Sequence, residues 1–252
     1  MPVRVKGDGR REVVSEVEIP GTPEEVWELV ATGPGISSWF VPTRTEGDDA
    51  RPSKLICSFG PGMEAIAEIL EWSPPQSFCA EAPWGPGVPP VATEWHVEAK
   101  SGGTCVVRVV HSMFASTDDW DDQLEGTEHG WATFFAVLAL RQEHFRGLAG
   151  GVVQASLQVG GGLDHVWARA EAQLGLRSEG EVHTPWGASG RVLRHGESEA
   201  FALLRAPAPG LLHLSAMPMG EEEVLLTARQ FHYGADVTAP DEGALRDALA
   251  GL

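Results

Sequence analysis

The chain has 252 residues, is 42% hydrophobic and carries a formal net charge of −18. That is enough apolar material for one large core or two ordinary ones, and no run of 18 apolar residues is present to cross a membrane. The acidity is spread along the chain, with 11 basic against 23 acidic residues in 1–150 and 7 against 13 in 151–252; it opposes binding to nucleic acid or anionic lipid, where Lys and Arg supply most of the affinity.

In chain order, Met1–Asp8 lacks the apolar core of a signal peptide, so a cytoplasmic protein is expected. Glu12–Ile19 alternates charged and apolar residues, the period of a half-buried strand. Thr22 is a good N-cap, Pro23 suits the first helical position, and Glu24 and Glu25 complement the positive helix end. That helix runs through Val26, Trp27, Leu29 and Val30 and stops at Gly33-Pro34-Gly35. A short turn, Ile36–Ser38, leads to Trp39-Phe40-Val41-Pro42. Strands are expected around 53–59, 62–72, 76–82, 91–99 and 104–114, separated by Gly- and Pro-rich turns. From 118 to 146 the period changes. Trp120, Leu124, Trp131, Phe134, Phe135, Leu138 and Phe145 form one helical stripe, with Asp118, Asp119, Asp121 and Asp122 at its start. Gly126 and Thr127 are poor helix formers and predict a bend or a space left for something. After a boundary at 147–151 come a strand at 152–159, a helix at 163–174, strands near 180–195, 198–206, 210–216 and 223–233, and a short helix at 240–250.

Two phrases recur. Val13 through Trp27 is echoed, with one extra residue, by Val152 through Trp167, and Arg108-Val109-Val110-His111 is echoed by Arg229-Gln230-Phe231-His232. A period this long predicts two copies of one domain rather than a solenoid. Pro83-Trp84-Gly85 and Pro185-Trp186-Gly187 are also identical, at places that do not correspond. Cys57, Cys79 and Cys105 are odd in number and widely spaced, which suits buried thiols rather than a disulfide framework or a zinc site.

The element order of 11–147 is similar to the helix-grip, or START-like (SRPBCC), α+β fold, in which a curved antiparallel sheet wraps a long C-terminal helix. Four phrases sharpen the likeness: Thr22-Pro23-Glu24-Glu25-Val26-Trp27, Ile36 through Pro42, Gly103 through Ser112, and His129-Gly130-Trp131. With them, 11–147 resembles the family named after the activator of heat-shock-protein-90 ATPase, and 152–252 reads as a shorter START-like repeat. The resemblance implies a cavity between sheet and helix, with Trp39 and Phe40 at its mouth. It does not bring chaperone activation with it, because the domain begins near Val13.

The lining follows from alternation. Arg108 is costly to bury, so Val107, Val109, His111 and Met113 point towards the long helix. Trp95 lies on the apolar face of its strand, opposite Leu124, Trp131, Phe134, Phe135 and Leu138. Such a pocket, apolar with one titratable group, suits an apolar small molecule. Non-catalytic binding is the leading expectation, with no cofactor, no metal, no nucleic acid and no membrane. The competing expectation is plain core, with His111 as a hydrogen-bonded core histidine, a role that the repeated His232 would share. Alternatives of other classes are a protein-interaction or co-chaperone-like module, with a homodimer or another protein as partner, and a START-like cyclase or hydrolase using His111 as general base. Glu125 and His129 share a helical face but lack a third metal ligand. No serine or cysteine sits in a nucleophile motif, and Gly160-Gly161-Gly162 reads as a turn rather than a phosphate cradle.

Overall fold

The computed structural model describes residues 3–251 apart from Asp8, Pro61, Trp84, Pro86, 116–117, 119–120, 177–179 and 235–240, and without the side chains of 123, 128 and 129. The expectations for Trp84, Asp119, Trp120 and the His129 side chain therefore lie outside the described residues. The chain divides into two compact units, Met1–Arg146 and Gly147–Leu252.

In the first unit the elements run β1 (Arg4–Val5), β2 (Arg10–Pro20), α1 (Pro23–Ala31), α2 (Gly33–Ser37), β3 (Thr43–Asp48), β4 (Arg51–Ser58), β5 (Glu64–Ser73), β6 (Ser77–Ala82), β7 (Val91–Lys100), β8 (Thr104–Phe114) and α3 (Asp121–Phe145). The strands form one antiparallel sheet in the order β1-β2-β8-β7-β6-β5-β4-β3. β2 pairs with β8 rather than with its successor, which brings the start of the unit beside its last strand. This is the helix-grip arrangement, an α+β fold with α3 as the gripped helix. At 25 residues α3 is about 37 Å long and runs as one helix through Gly126 and Thr127.

The local chemistry of α1 is that read from its residues. The Thr22 hydroxyl accepts from the Glu25 amide at 3.3 Å, and the Glu25 carboxylate accepts from the Thr22 amide at 2.9 Å, a reciprocal capping box. Instead of a plain stop, Gly33–Ser37 form a second short helix. Thr32 joins the two, accepting from the Gly35 amide at 3.1 Å and donating to the Glu28 carbonyl at 2.7 Å. A strand not expected from the sequence, β3, pairs with β4. It reads Thr-Arg-Thr-Glu-Gly-Asp, without one apolar residue to set a period, as suits the edge of a sheet.

The second unit runs β9 (Gly150–Gly160), α4 (Leu163–Leu174), β10 (Glu181–His183), β11 (Ser189–His195), β12 (Glu199–Ala206), β13 (Gly210–Pro218), β14 (Glu223–Tyr233) and α5 (Glu242–Ala250). Its sheet order is β10-β11-β12-β13-β14-β9. The single strand expected at 180–195 is broken by the Thr184–Gly187 turn. Val166, Trp167, Leu174, Leu212, Leu226, Leu245 and Leu249 are among the side chains of its apolar core. This is a shorter copy of the first unit, with nine-residue α5 in the place of α3.

The hydrogen bonds give the true register of the repeat. Gly21 donates to Gly103 in the first unit and Gly161 to Glu222 in the second. His111 stands opposite Val13, and Gln230 opposite Val153. The first strand and helix therefore match at a constant offset, with no extra residue. His111 corresponds to Gln230 and not to His232, which corresponds to Met113. An apolar strand has a side-chain period of two, so a shift of two residues leaves its pattern intact and the sequence echo slips unnoticed.

Two glycines report on packing in opposite senses. A Cβ at Gly190 would lie 1.9 Å from the Leu203 carbonyl oxygen, whereas one at Gly126 would meet nothing within 4 Å. Gly190→Ala should cost about 2 kcal/mol or more through overpacking, and Gly126→Ala should gain about 0.5–1 kcal/mol from helix propensity. Chemical denaturation of the two variants measures both.

Candidate functional site

The first unit holds a cavity of about 330 Å³ between its sheet and α3. From the sequence-predicted set, Phe40, Trp95, His111, Trp131 and Phe134 line it. Trp39, Val107, Val109, Met113, Leu124, Phe135 and Leu138 do not; all are buried in the surrounding core. Met113 and Leu124 pack with Val13 and Val91 in a separate small cluster.

Trp39 is fully buried and sits behind the cavity rather than at its mouth. Its indole N–H donates to the Leu29 carbonyl at 2.9 Å, satisfying one of the acceptors that the end of α1 leaves open. Its ring centre lies 5.7–6.4 Å from those of Phe40, Trp95, Trp131 and Phe135. Around it Phe40 stacks on Trp131 at 5.3 Å, and Trp131 meets Trp95 edge-on at 5.1 Å. Such offset and edge-on pairs add to simple burial. The contact between Trp131 and Trp95 does not close the cavity, because the open volume lies beyond these rings.

What keeps the volume open is a floor of small side chains. Ala65 and Ala67 on β5 and Ala80 and Ala82 on β6 line it, with Leu55 and Cys57 from β4. Across from them α3 presents Thr127 and Gly130, and a Cβ at Gly130 would meet no heavy atom within 4 Å. Ala65 and Phe59 are exposed as well as lining, which marks the solvent side. The alternation on β5 and β6 carried this signal: the positions facing the cavity are alanines where a filled core would have Leu or Val.

His111 is the histidine of the described lining, which also includes the thiol of Cys57. The Trp131 indole N–H donates to its Nε2, and Thr93 Oγ1 lies 3.1 Å from its Nδ1. The ring borders the cavity yet lies deep under the sheet, and burial pushes its pKa down to about 4. It is neutral at pH 7, and neither ring nitrogen is free to take a proton from a substrate. The thiols are equally quiet. Cys57, at the cavity wall, has its pKa raised by burial. Cys79 is pushed up to about 11 by burial and by Glu94, Glu71 and Glu81, and Cys105 is raised chiefly by burial. The thiolate is the reactive form, so these environments oppose a nucleophilic role. Among the described residues no group of three or more His, Cys, Asp and Glu is placed to hold a metal ion, and no helix is long and apolar enough to cross a membrane.

The second tryptophan of the repeated tripeptide, Trp186, is partly buried against the core of its unit, and its indole N–H donates to Gln230 Oε1 at 2.7 Å. It is a packing residue and not a surface anchor.

No family model matches the chain, and no curated protein matches it. Solved structures do. DynU16, from the dynemicin biosynthetic locus, is 16% identical with a TM-score of 0.44 over 95% of this chain and 94% of that one. The di-domain ARO/CYC BexL from the BE-7585A biosynthetic pathway is 14% identical with a TM-score of 0.47 over 89% and 85%. The Aha1 dimer from Colwellia psychrerythraea is 18% identical with a TM-score of 0.43 over 52% and 96%. Likeness at these identities concerns the course of the chain and not its chemistry.

Because the His111 pKa lies below the value of about 6.5 for an unfolded chain, the unfolded state takes up a proton first as the pH falls. The stabilisation from the neutral ring is complete above pH 6.5 and is lost as the pH drops towards 4. His111→Asn should therefore cost about 1–3 kcal/mol less at pH 4.5 than at pH 7.5. Denaturation followed by tryptophan fluorescence reads this, since seven of the nine tryptophans precede residue 147.

Proposed function

We propose that the first unit binds an apolar small molecule in the cavity between its sheet and α3, and that it does so without catalysis. The observation that carries this reading is the open 330 Å³ itself, kept by four alanines and a helix-interior glycine. Protein interiors pack to crystal-like density, and a glycine inside a helix costs about 1 kcal/mol relative to alanine. An apolar cavity of about 150 Å³ already takes up benzene, and ligand sites begin near 300 Å³. The space therefore suits a compact ligand of two or three rings.

The catalytic alternative needs a free ring nitrogen on His111 as base, and both nitrogens are engaged. The interaction alternative gains no surface anchor from Trp186, whose indole N–H is tied to Gln230. The reading keeps 11–147 and 152–252 as its two domains and takes the four local phrases as kinship with the family of heat-shock-protein-90 ATPase activators. A cytoplasmic setting belongs to it too, and three free thiols fit a reducing compartment.

Gly130→Leu tests the site without attacking the fold, because the new side chain enters open space. The variant should keep or raise the melting temperature and bind the fluorescent probe N-phenyl-1-naphthylamine at least tenfold more weakly. Unchanged probe affinity in a folded variant would place binding elsewhere. Native mass spectrometry of the wild type, compared with denaturing conditions, should reveal any co-purified ligand.

A further inference from the structure

The direction of the hydrogen bonds around His111 fixes what the cavity can offer a ligand. An indole N–H only donates, so the His111 Nε2 that receives it from Trp131 carries the lone pair. The neutral ring must then hold its hydrogen on Nδ1, and that N–H donates to Thr93 Oγ1 at 3.1 Å. The reverse polarity would set two donors against each other at Nε2. Thr93 is thereby an acceptor towards His111, and its own hydroxyl hydrogen is left to be donated elsewhere. Thr93 lines the cavity.

Of the other polar side chains of the wall, Thr127 and Cys57 have partners within the protein, and the Trp95 indole N–H can only donate. The Thr127 hydroxyl donates to the Leu124 carbonyl at 2.6 Å, and Cys57 Sγ lies 3.5 Å from Thr43 Oγ1, whose hydrogen goes to the Val41 carbonyl at 2.8 Å. No Lys, Arg, Asp or Glu is among the described lining residues. The second unit serves as an internal control. Gln230, in the place of His111, stands opposite Leu212 as His111 stands opposite Thr93. In the second unit the position of the hydroxyl is a fully buried leucine.

We propose that Thr93 is the specificity-determining residue of the cavity: its hydroxyl donates to an acceptor oxygen of the ligand, so that the site selects neutral apolar molecules carrying a ketone, quinone or ether oxygen. His111 and Trp131 are positioning residues that hold this polarity. The inference rests on the binding reading above. A ligand donor such as an amide N–H would have to share Thr93 Oγ1 with the His111 N–H, through its second lone pair, and so gains less there than an acceptor does.

The test uses two neutral fluorescent naphthalenes with the full-length wild type, Thr93→Val and Thr93→Ser. Prodan carries a ketone; N-phenyl-1-naphthylamine carries an N–H and no oxygen. Prodan should bind the valine variant roughly five- to tenfold more weakly than wild type, the size of one hydrogen bond. The serine variant should recover most of that loss, and N-phenyl-1-naphthylamine should bind all three proteins within about twofold, since it makes no such bond. In the wild type alone, the carbonyl stretch of bound prodan should lie below its value in hexane, which keeps the test valid should the valine variant fail to fold. Equal prodan affinity in folded wild type and valine variant, parallel loss of both probes, or an unshifted carbonyl stretch overturns the assignment. If neither probe binds wild type, the cavity-binding reading falls and takes this inference with it.

Discussion

The indole of Trp39 fixes where α1, α2, β7 and α3 meet. It is fully buried, its N–H is held by the Leu29 carbonyl, and four aromatic rings surround it within 6.4 Å. A ring of that size cannot be repacked by small shifts, because interiors are dense and side chains occupy discrete rotamers. Its neighbours Trp95 and Trp131 stand edge to face against one another and so set the distance of α3 from the sheet at that level. Everything on the β4–β6 side inherits this spacing. Once bulky rings hold the helix away, alanines on β5 and β6 cannot reach it, and the cavity follows.

The cavity is thus a local choice of side-chain size set inside a rigid frame. Filling it would be chemically simple: Gly130 has room for a side chain, and the floor has four positions a leucine could occupy. An unfilled space forfeits dispersion contacts along its whole lining. The polar seam beside it is ordered in the opposite spirit. His111 gives and receives one hydrogen bond each, and neither nitrogen is left over. A histidine so committed acts as a fixed dipole in the wall, and low pH harms it twice, by charging a buried ring and by removing the lone pair that Trp131 addresses.

Much of this was legible from residues whose signals are local. Thr22, Pro23 and Glu25 announced the start of α1, because a capping box is satisfied within four residues. The alternation on 91–99 and 104–114 placed Trp95, Val107, Val109 and His111 on one face, and the helical stripe put Trp131 and Phe134 opposite. What escaped was of two kinds. β3 has no apolar residue, so periodicity had nothing to act on, and only its pairing with β4 makes it a strand. The alanine floor escaped because alanine is compatible with both core and surface; its meaning appears only when Ala65, Ala67, Ala80 and Ala82 are seen to face one space. Trp39 was expected at a mouth and is a core anchor instead, since its indole N–H reaches Leu29, ten residues earlier in the chain.

The second unit separates what the fold needs from what the cavity needs. Both units aim an indole N–H at the same strand position, Trp131 at His111 and Trp186 at Gln230, although one indole comes from a helix and the other from a turn. That bond belongs to the architecture, because a polar group at this depth has to be satisfied whichever element supplies its partner. The differences lie around it. α5 has nine residues, about 13 Å against the 37 Å of α3, and two sheet positions carry larger groups than their counterparts. Leu212 stands where the first unit has Thr93, and Leu204, opposite Gly210, stands where it has Ala82, opposite Val91. A long helix with Gly130, and alanines below it, leave the cavity of the first unit open. The cavity is therefore written in side chains and not imposed by the helix-grip fold, which is why a handful of its residues can decide what it admits.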